Sequence, residues 1–526
     1  MTEQHKTYPS LYEEKLETAT GGITPADRDD ELFVRDLVRR MKNSAVLSDG
    51  SAVALFRGER VPLDPADYTR AAKKADGKWY LPAAFGARLG IAVPDAGAEA
   101  DAASLARTAG LLPVSDDTRG LYILQDPACA PFTPRDLDRF CRFFHEPLIP
   151  DVRVPVAETR QVIARAPDRG NVTDWREAVY TTCYSPAIHL HGAGTHRQLW
   201  VANEYSQVKN WKEIDTVTVL QVSDDDGKSW RETVRLPHIR WGGFFEVNGT
   251  VYFSGTSGEK HAVAIHRFRS ETEYDVAYID FGCGWTSPNH VLVDGGRVYQ
   301  ALGTAAISAP AEADLLRRES WTVSSSLSPI LTREWFLSAS GETAAPRFTV
   351  MEGNILRAPD GKIYNIMRTE TQPNSGYAAI LELTPDGKQY LPVPSCNSLL
   401  HFPTSVSKFV IRQDPVSGEY VSLTSVQTVR GFGDQRSVLA LVHSRDLFRW
   451  EIAEILLTDR TLMNPVCSAQ LHSFQYVDFV IDGDDIRMLV REAAGNPNIW
   501  HDGTHITLYR IAGFRKYLTG TERNGL

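Results

Sequence analysis

A carboxylate inside an apolar strand is costly unless it is paired or used, and two such groups stand out in this chain. Asp478 lies within Phe474-Gln475-Tyr476-Val477-Asp478-Phe479-Val480, and Glu352 leads from the apolar run Phe348-Thr349-Val350-Met351 into the strand that starts at Gly353. Paired across a pocket, two carboxylates can act as a general acid and a base or nucleophile. Tyr476 precedes Asp478 by two residues, so a regular strand presents both on one face. Tyr476 is then either a nucleophile assisted by a carboxylate or a core tyrosine with a bonded hydroxyl. Gln475, beside it, is assigned to substrate binding.

Arg368 and Arg491 each end a mainly apolar strand, Tyr364 to Met367 and Ile486 to Val490, and each is followed by an acid, Glu370 and Glu492. Such arginines clamp a substrate carboxylate or orient a catalytic acid; an ion pair between packed sheets explains them equally well. His189 and His191 share a strand face, with His196 beyond. Their spacing suits a divalent metal, but no carboxylate spacing completes a ligand set, so the sequence predicts no metal and gives His191 a substrate-contacting or acid–base role. His290, in Asn289-His290, and His501, in Trp500-His501-Asp502, fall on predicted loops that contribute to a pocket or its rim.

Composition narrows the partner. The chain has 526 residues, is 42% hydrophobic and 23% charged, and carries a formal charge of −10 without a Lys/Arg-rich run. Nucleic acid and anionic membrane surfaces need clustered cations, so the expected partner is a small molecule. The polar N-terminal segment and the lack of a long apolar run predict a soluble, cytoplasmic protein. The cysteines (Cys129, Cys141, Cys183, Cys283, Cys396 and Cys467) show no Cys-x-x-Cys spacing, which points to reduced thiols rather than zinc or a disulfide framework. No organic cofactor is implied, and a homo-oligomer is compatible with the sequence.

The elements that must position these residues fall into three regions. Residues 1–44 are charged, with Leu32, Phe33, Leu37 and Val38 on one helical face. Residues 45–150 read as a small α+β domain, with strands at Ala52–Phe56 and Val61–Leu63, a strand at Lys78–Pro82 leading into a helix over 83–89, and a surface connection or weak helix over 94–106.

Residues 151–526 repeat one hairpin, with Gly or Asp in its turn, at Asn248-Gly249, Asp294-Gly295-Gly296, Asp360-Gly361, Ser417-Gly418 and Asp482-Gly483, with a looser copy at Gly192-Ala193-Gly194. Radial repetition of small antiparallel sheets produces this spacing, and six hairpins predict a mostly β, six-bladed propeller. Ser223-Asp224-Asp225-Asp226-Gly227-Lys228-Ser229-Trp230 fits an Asp-box, Ser-x-Asp-x-Gly-x-Thr/Ser-Trp. There Asp225 accepts turn N–H groups, Gly227 permits positive φ, and Trp230 fills a gap between sheets. Ser444-Arg445-Asp446-Leu447-Phe448-Arg449-Trp450 is a copy without the glycine.

The Asp-box, the hairpins and the strings Met351–Arg357, Ile366–Glu370, Ser407–Arg412 and Phe474–Phe479 together resemble the sialidase-like, BNR-repeat propeller family, and in particular a bacterial subgroup of it, over residues 160 to 515. The resemblance implies the propeller and a glycosidase-type pocket; the family's Arg-Ile-Pro motif is matched only by Arg153-Val154-Pro155. Residues 47–90, with Tyr80-Leu81-Pro82, resemble the copper amine oxidase N-terminal-like module. The expected function is an exo-acting glycoside hydrolase releasing a terminal sugar, with one or two of Trp200, Trp211, Trp241, Trp285, Trp321 and Trp500 stacking on the ring. The alternatives are a lyase acting on a uronate-containing glycan and a non-catalytic glycan-binding propeller.

Overall fold

The computed structural model describes residues 40–57, 59–64, 70–93, 95–145, 157–167, 179–192, 197–209, 212–283, 291–342, 345, 348–371, 376–403, 407–426, 435–459, 472–494 and 500–518. The helical face at Leu32–Val38 and the residues His196, Trp211, Trp285, Asn289, His290 and Cys467 lie outside them. The chain is mostly β and divides into two compact units.

In the first unit, Glu59–Pro62, Val53–Phe56, Ala45–Ser48, Leu121–Gln125 and Leu112–Asp116 pair in that order as an antiparallel sheet. Lys73–Ala75, Lys78–Pro82 and Glu99–Asp101 form a second sheet. The Ala-rich stretch after residue 94 is more ordered than its composition suggests. Asp101 ends a strand and caps the helix Ala102–Thr108 by accepting from the Ser104 amide at 3.1 Å. Trp79, Leu81, Phe85, Ala102, Ala106 and Tyr122 share this unit's core.

Among the described residues, the second unit contains six antiparallel sheets in chain order. Sheet I holds Tyr180–His191, Gln198–Lys209, Lys212–Ser223 and Arg231–Pro237. Sheet II holds Ile239–Val247, Thr250–Ser257, Ala262–Phe268 and Tyr274–Ile279, and sheet III holds Leu292–Asp294, Arg297–Leu302, Ala305–Pro310 and Thr322–Val323. Sheet IV holds Phe348–Arg357, Ile363–Thr371, Tyr377–Leu383 and Tyr390–Leu391, with Leu399–His401 paired to its third strand. Sheet V holds Ile411–Gln413, Tyr420–Ser425, Val438–Ser444 and Glu451–Thr458. Sheet VI holds Ser473–Asp482, Asp485–Ala493 and His505–Ile511, and takes its fourth strand, Ala157–Arg165, from the start of the unit.

Each repeated hairpin of the sequence joins the first and second strands of one sheet. Asn248 (φ 50°) with Gly249 (φ 78°), and Gly295 with Gly296 (φ 55° and 73°), have the paired positive φ of tight hairpin turns. Middle strands such as Val438–Ser444 are apolar nearly throughout because a neighbouring sheet covers each face. Apolar cores result between sheets I and II, II and III, III and IV, IV and V, V and VI, and VI and I. This cyclic succession is propeller-like.

The turn over 223–230 closes as its residue types require. Ser223 Oγ donates to Asp225 Oδ1 (2.8 Å) and accepts the Gly227 amide (2.8 Å), while Asp225 accepts both the amide and hydroxyl of Ser229. These donors hold the Asp225 carboxyl down at about 2. Gly227 has φ 85°, and Trp230 packs into the core shared by sheets VI and I. In the copy lacking glycine, Leu447 adopts φ 70° and Trp450 donates to the Leu447 carbonyl at 2.9 Å.

Candidate functional site

Among the described residues, four first strands carry a one-residue bulge: between Tyr184 and Ala187 in sheet I, Arg240 and Gly243 in II, Met351 and Asn354 in IV, and Gln475 and Asp478 in VI. In three of them a non-glycine residue takes the left-handed conformation, namely Trp241 (φ 54°), Glu352 (φ 54°) and Tyr476 (φ 52°). A bulge re-aims a side chain, and left-handed backbone costs about 1 kcal/mol or more at such residues. The glycine after Glu352 is fixed by space: a Cβ on Gly353 would lie 2.1 Å from Asn365 Oδ1.

The bulges of sheets IV and VI bring Glu352 and Tyr476 to one guanidinium. Arg368, on the second strand of sheet IV, donates from Nη1 to Glu352 Oε2 at 3.0 Å and to the Tyr476 hydroxyl at 3.4 Å, and its Nη2 lies 3.7 Å from Glu370. Burial works against its charge, but Glu352, Tyr476 and Glu370 outweigh that and raise its pKa. Two further guanidinium groups face the same tyrosine ring, Arg491 at 4.2 Å and Arg436 at 5.6 Å from its centroid. Arg491 also lies 4.6 Å from the Tyr184 ring and donates to the His501 carbonyl at 2.8 Å, while Arg436 lies 4.1 Å from Trp500. All three arginines are nearly sealed, at 3%, 2% and 1% exposure for Arg368, Arg436 and Arg491. Burying a cation costs several kcal/mol, so three together mark a place built to meet negative charge. His501 sits against the rings of Tyr476 and Tyr184; burial and then Arg491, Arg436 and Arg368 press its pKa well below the usual histidine value, keeping it neutral near pH 7.

Of the residues predicted from sequence, Glu352, Tyr476, Arg368, Arg491 and His501 are brought together. Gln475 is fully buried as a support: it accepts from Arg436 and donates to Ser473 Oγ and the Trp500 carbonyl. The expected pairing of Asp478 with Tyr476 on one strand face gives way to the bulge, which breaks the alternation between them. Asp478 is occupied instead as a clamp, accepting from Arg412 Nη2 (3.1 Å), the Ile188 amide (2.9 Å) and the Phe479 amide (2.9 Å). Glu492 accepts from the Tyr509 hydroxyl at 2.6 Å.

His191 stands apart. It lies seven residues beyond Tyr184 on the same strand, roughly 23 Å at strand rise, and with His189 it contacts Glu246. Sequence reasoning missed Glu246, which comes from the first strand of the next sheet. It also missed Arg436, although an arginine at the head of the apolar strand Val438–Ser444 carries the signal that singled out Arg368 and Arg491. Two other buried charges went unnoticed. Burial lowers the Lys408 pKa to about 8 against the pull of Asp478 and Glu352. Burial, then Glu213, pushes the Glu204 carboxyl up to about 7, and Glu204 accepts the Trp241 amide at 3.0 Å from the bulge of sheet II.

Fold and site together define a propeller-like β protein with a buried arginine–tyrosine–carboxylate cluster. No protein-family model matches the chain, and no curated protein matches it. Solved structures similar to it include a Dyadobacter fermentans protein of unknown function (10% identity, 67% of this chain and 98% of that one, TM-score 0.43). Trypanosoma rangeli sialidase in complex with sialic acid is similar at 12% identity, over 64% of this chain and 55% of that one, with a TM-score of 0.38. A mutant levansucrase of B. megaterium is similar at 11% identity, over 67% of this chain and 90% of that one, with a TM-score of 0.32.

Proposed function

We propose that the second unit is a six-bladed, sialidase-like propeller acting as an exo-glycoside hydrolase on a terminal sugar that bears an anionic group. The observation that carries this reading is the convergence of Tyr476 and Glu352 on Arg368, with Arg491 and Arg436 around the same ring. The guanidinium groups bind the sugar's acidic substituent in bidentate fashion. Tyr476 Oη attacks the anomeric carbon as the bond to the aglycone oxygen breaks; Glu352 takes up the phenolic proton, and the aglycone leaves as an alcohol with a proton from solvent water. Water then bonds to the anomeric carbon as the bond to Tyr476 Oη breaks; Glu352 returns its proton to the tyrosine oxygen, and the water gives up one proton to solvent, which restores the enzyme and frees the sugar. Asp478 holds strands together in this scheme and has no chemical step. The first unit serves as an accessory module, and the protein works in the cytoplasm.

The test is hydrolysis of a panel of sialosides, uronosides and neutral aryl glycosides by the wild type, Tyr476→Phe and Glu352→Gln. Release of one acidic monosaccharide, abolished by both substitutions, supports the hydrolase; turnover of neutral glycosides alone sinks the role given to the arginines. A second reading, a uronate-directed lyase, draws support from Tyr476 and neutral His501 standing beside arginines while Asp478 is occupied. In that case Tyr476 removes the proton α to a carboxylate neutralised by arginine, and the product is unsaturated and absorbs in the ultraviolet.

A further inference from the structure

The ends of the first strands distant from Tyr476 border a cavity of about 830 Å³, lined among others by His189 of sheet I, Asp294 of III, Arg357 of IV, Arg412 of V and Ile481 of VI. At its edge, His189 Nε2 and His191 Nδ1 each lie 3.0 Å from the same oxygen, Glu246 Oε2. The three ligand atoms fall within 4.8 Å of one another, the sole such group of histidine, cysteine and acidic side chains among the described residues. We propose that His189, His191 and Glu246 bind a divalent first-row transition-metal ion, zinc foremost.

The geometry suits this role in several respects. Metal–ligand bonds of about 2.0–2.2 Å place tetrahedral neighbours roughly 3.3 Å apart; the two 3.0 Å separations from Glu246 Oε2 are within a few tenths of an ångström of that, and the two histidine nitrogens lie within 4.8 Å of each other. Two imidazoles and one carboxylate are a borderline-soft donor set that favours zinc and its neighbours over calcium or magnesium. The ring orientations are supported from behind, His189 against Phe244 (6.2 Å between centroids) and His191 against Trp200 (6.1 Å). All three side chains are partly exposed, so an ion can reach them, and His189 also lines the cavity. The site would join sheet I to sheet II through their first strands. It is independent of the glycosidase reading, since none of its residues touches the Tyr476 cluster.

The experiment uses the untagged full chain, stripped with chelator and titrated with Co²⁺ in the visible and then with Zn²⁺ by calorimetry. Expected are one equivalent bound, d–d bands of a nitrogen/oxygen site without thiolate-to-cobalt charge transfer, and a zinc-dependent rise in Tm of a few degrees. Glu246→Gln, which preserves shape, and His191→Ala should each weaken binding at least tenfold; Glu246→Gln decides alone if His191→Ala does not fold. Wild-type protein that binds no stoichiometric metal, or variants that bind it as tightly as the wild type, would overturn the proposal and leave the cluster a histidine–carboxylate ion pair.

Discussion

The first strands of sheets IV and VI and those of sheets III and V occupy equivalent places in the repeat, yet they differ sharply. Phe348–Arg357 and Ser473–Asp482 are ten residues long and bulged, with Glu352 and Tyr476 in left-handed backbone. Leu292–Asp294 and Ile411–Gln413 are three residues long and pair in unbroken register. The regular strands supply packing, hairpins and, from Arg412, the ion pair to Asp478. Where register breaks, a side chain that alternation would have sent into a core is delivered to a shared arginine, and the strain is retained at the place where the chemistry is proposed.

The comparison is most exposed to a pair of tyrosine-to-phenylalanine changes. Tyr476→Phe should cut turnover by roughly a thousandfold or more with little change in Tm. Tyr299→Phe in sheet III removes a 2.7 Å hydroxyl bond to the Pro385 carbonyl and should leave turnover intact while costing about 1 kcal/mol of stability. Equal losses of activity in the two variants would erase the distinction between bulged and regular sheets.

Acid probes a strand in unbroken register, the third of sheet II. Burial holds the His266 pKa at about 4, on a third strand between Phe253 and Tyr274. Its folded pKa is depressed below the unfolded 6.5, so the unfolded chain takes up its proton first. Stability is therefore full above about pH 6.5 and falls as pH drops toward about 4, by about 3 kcal/mol from this residue. Denaturant titrations across that range should show the slope, and His266→Gln should flatten it. Arg368→Lys keeps the charge but loses the planar fork, and should raise KM by roughly one to two orders of magnitude while shifting kcat less. A larger fall in kcat than in affinity would make Arg368 part of the reacting group rather than the clamp.

Legibility in the sequence follows the range of the interaction. Hairpins and the 223–230 turn were readable because their bonds run between residues two to four apart, as in Ser223 to Asp225. Glu352, Tyr476, Arg368 and Arg491 were readable as charges or polar groups out of place in apolar strands. The bulges were not, because a register shift is a property of two strands and leaves no mark in one. For the same reason Asp478 was assigned to chemistry: its partners, Arg412 and the Ile188 amide, belong to other sheets. The histidine pair lacked a carboxylate only while sheet II was out of view.

The strand Ala157–Arg165 completes sheet VI by pairing with His505–Ile511, so the earliest and latest segments of the unit meet in one sheet. During synthesis sheets I to V can form in turn, but the core between sheets VI and I, with Ala164 beside Leu508, waits until the final strands have emerged. Ring closure is thus a late, non-local event. Until His505–Ile511 has emerged, Ala157–Arg165 has no pairing partner in its sheet and the face of sheet I that packs in this core stays uncovered.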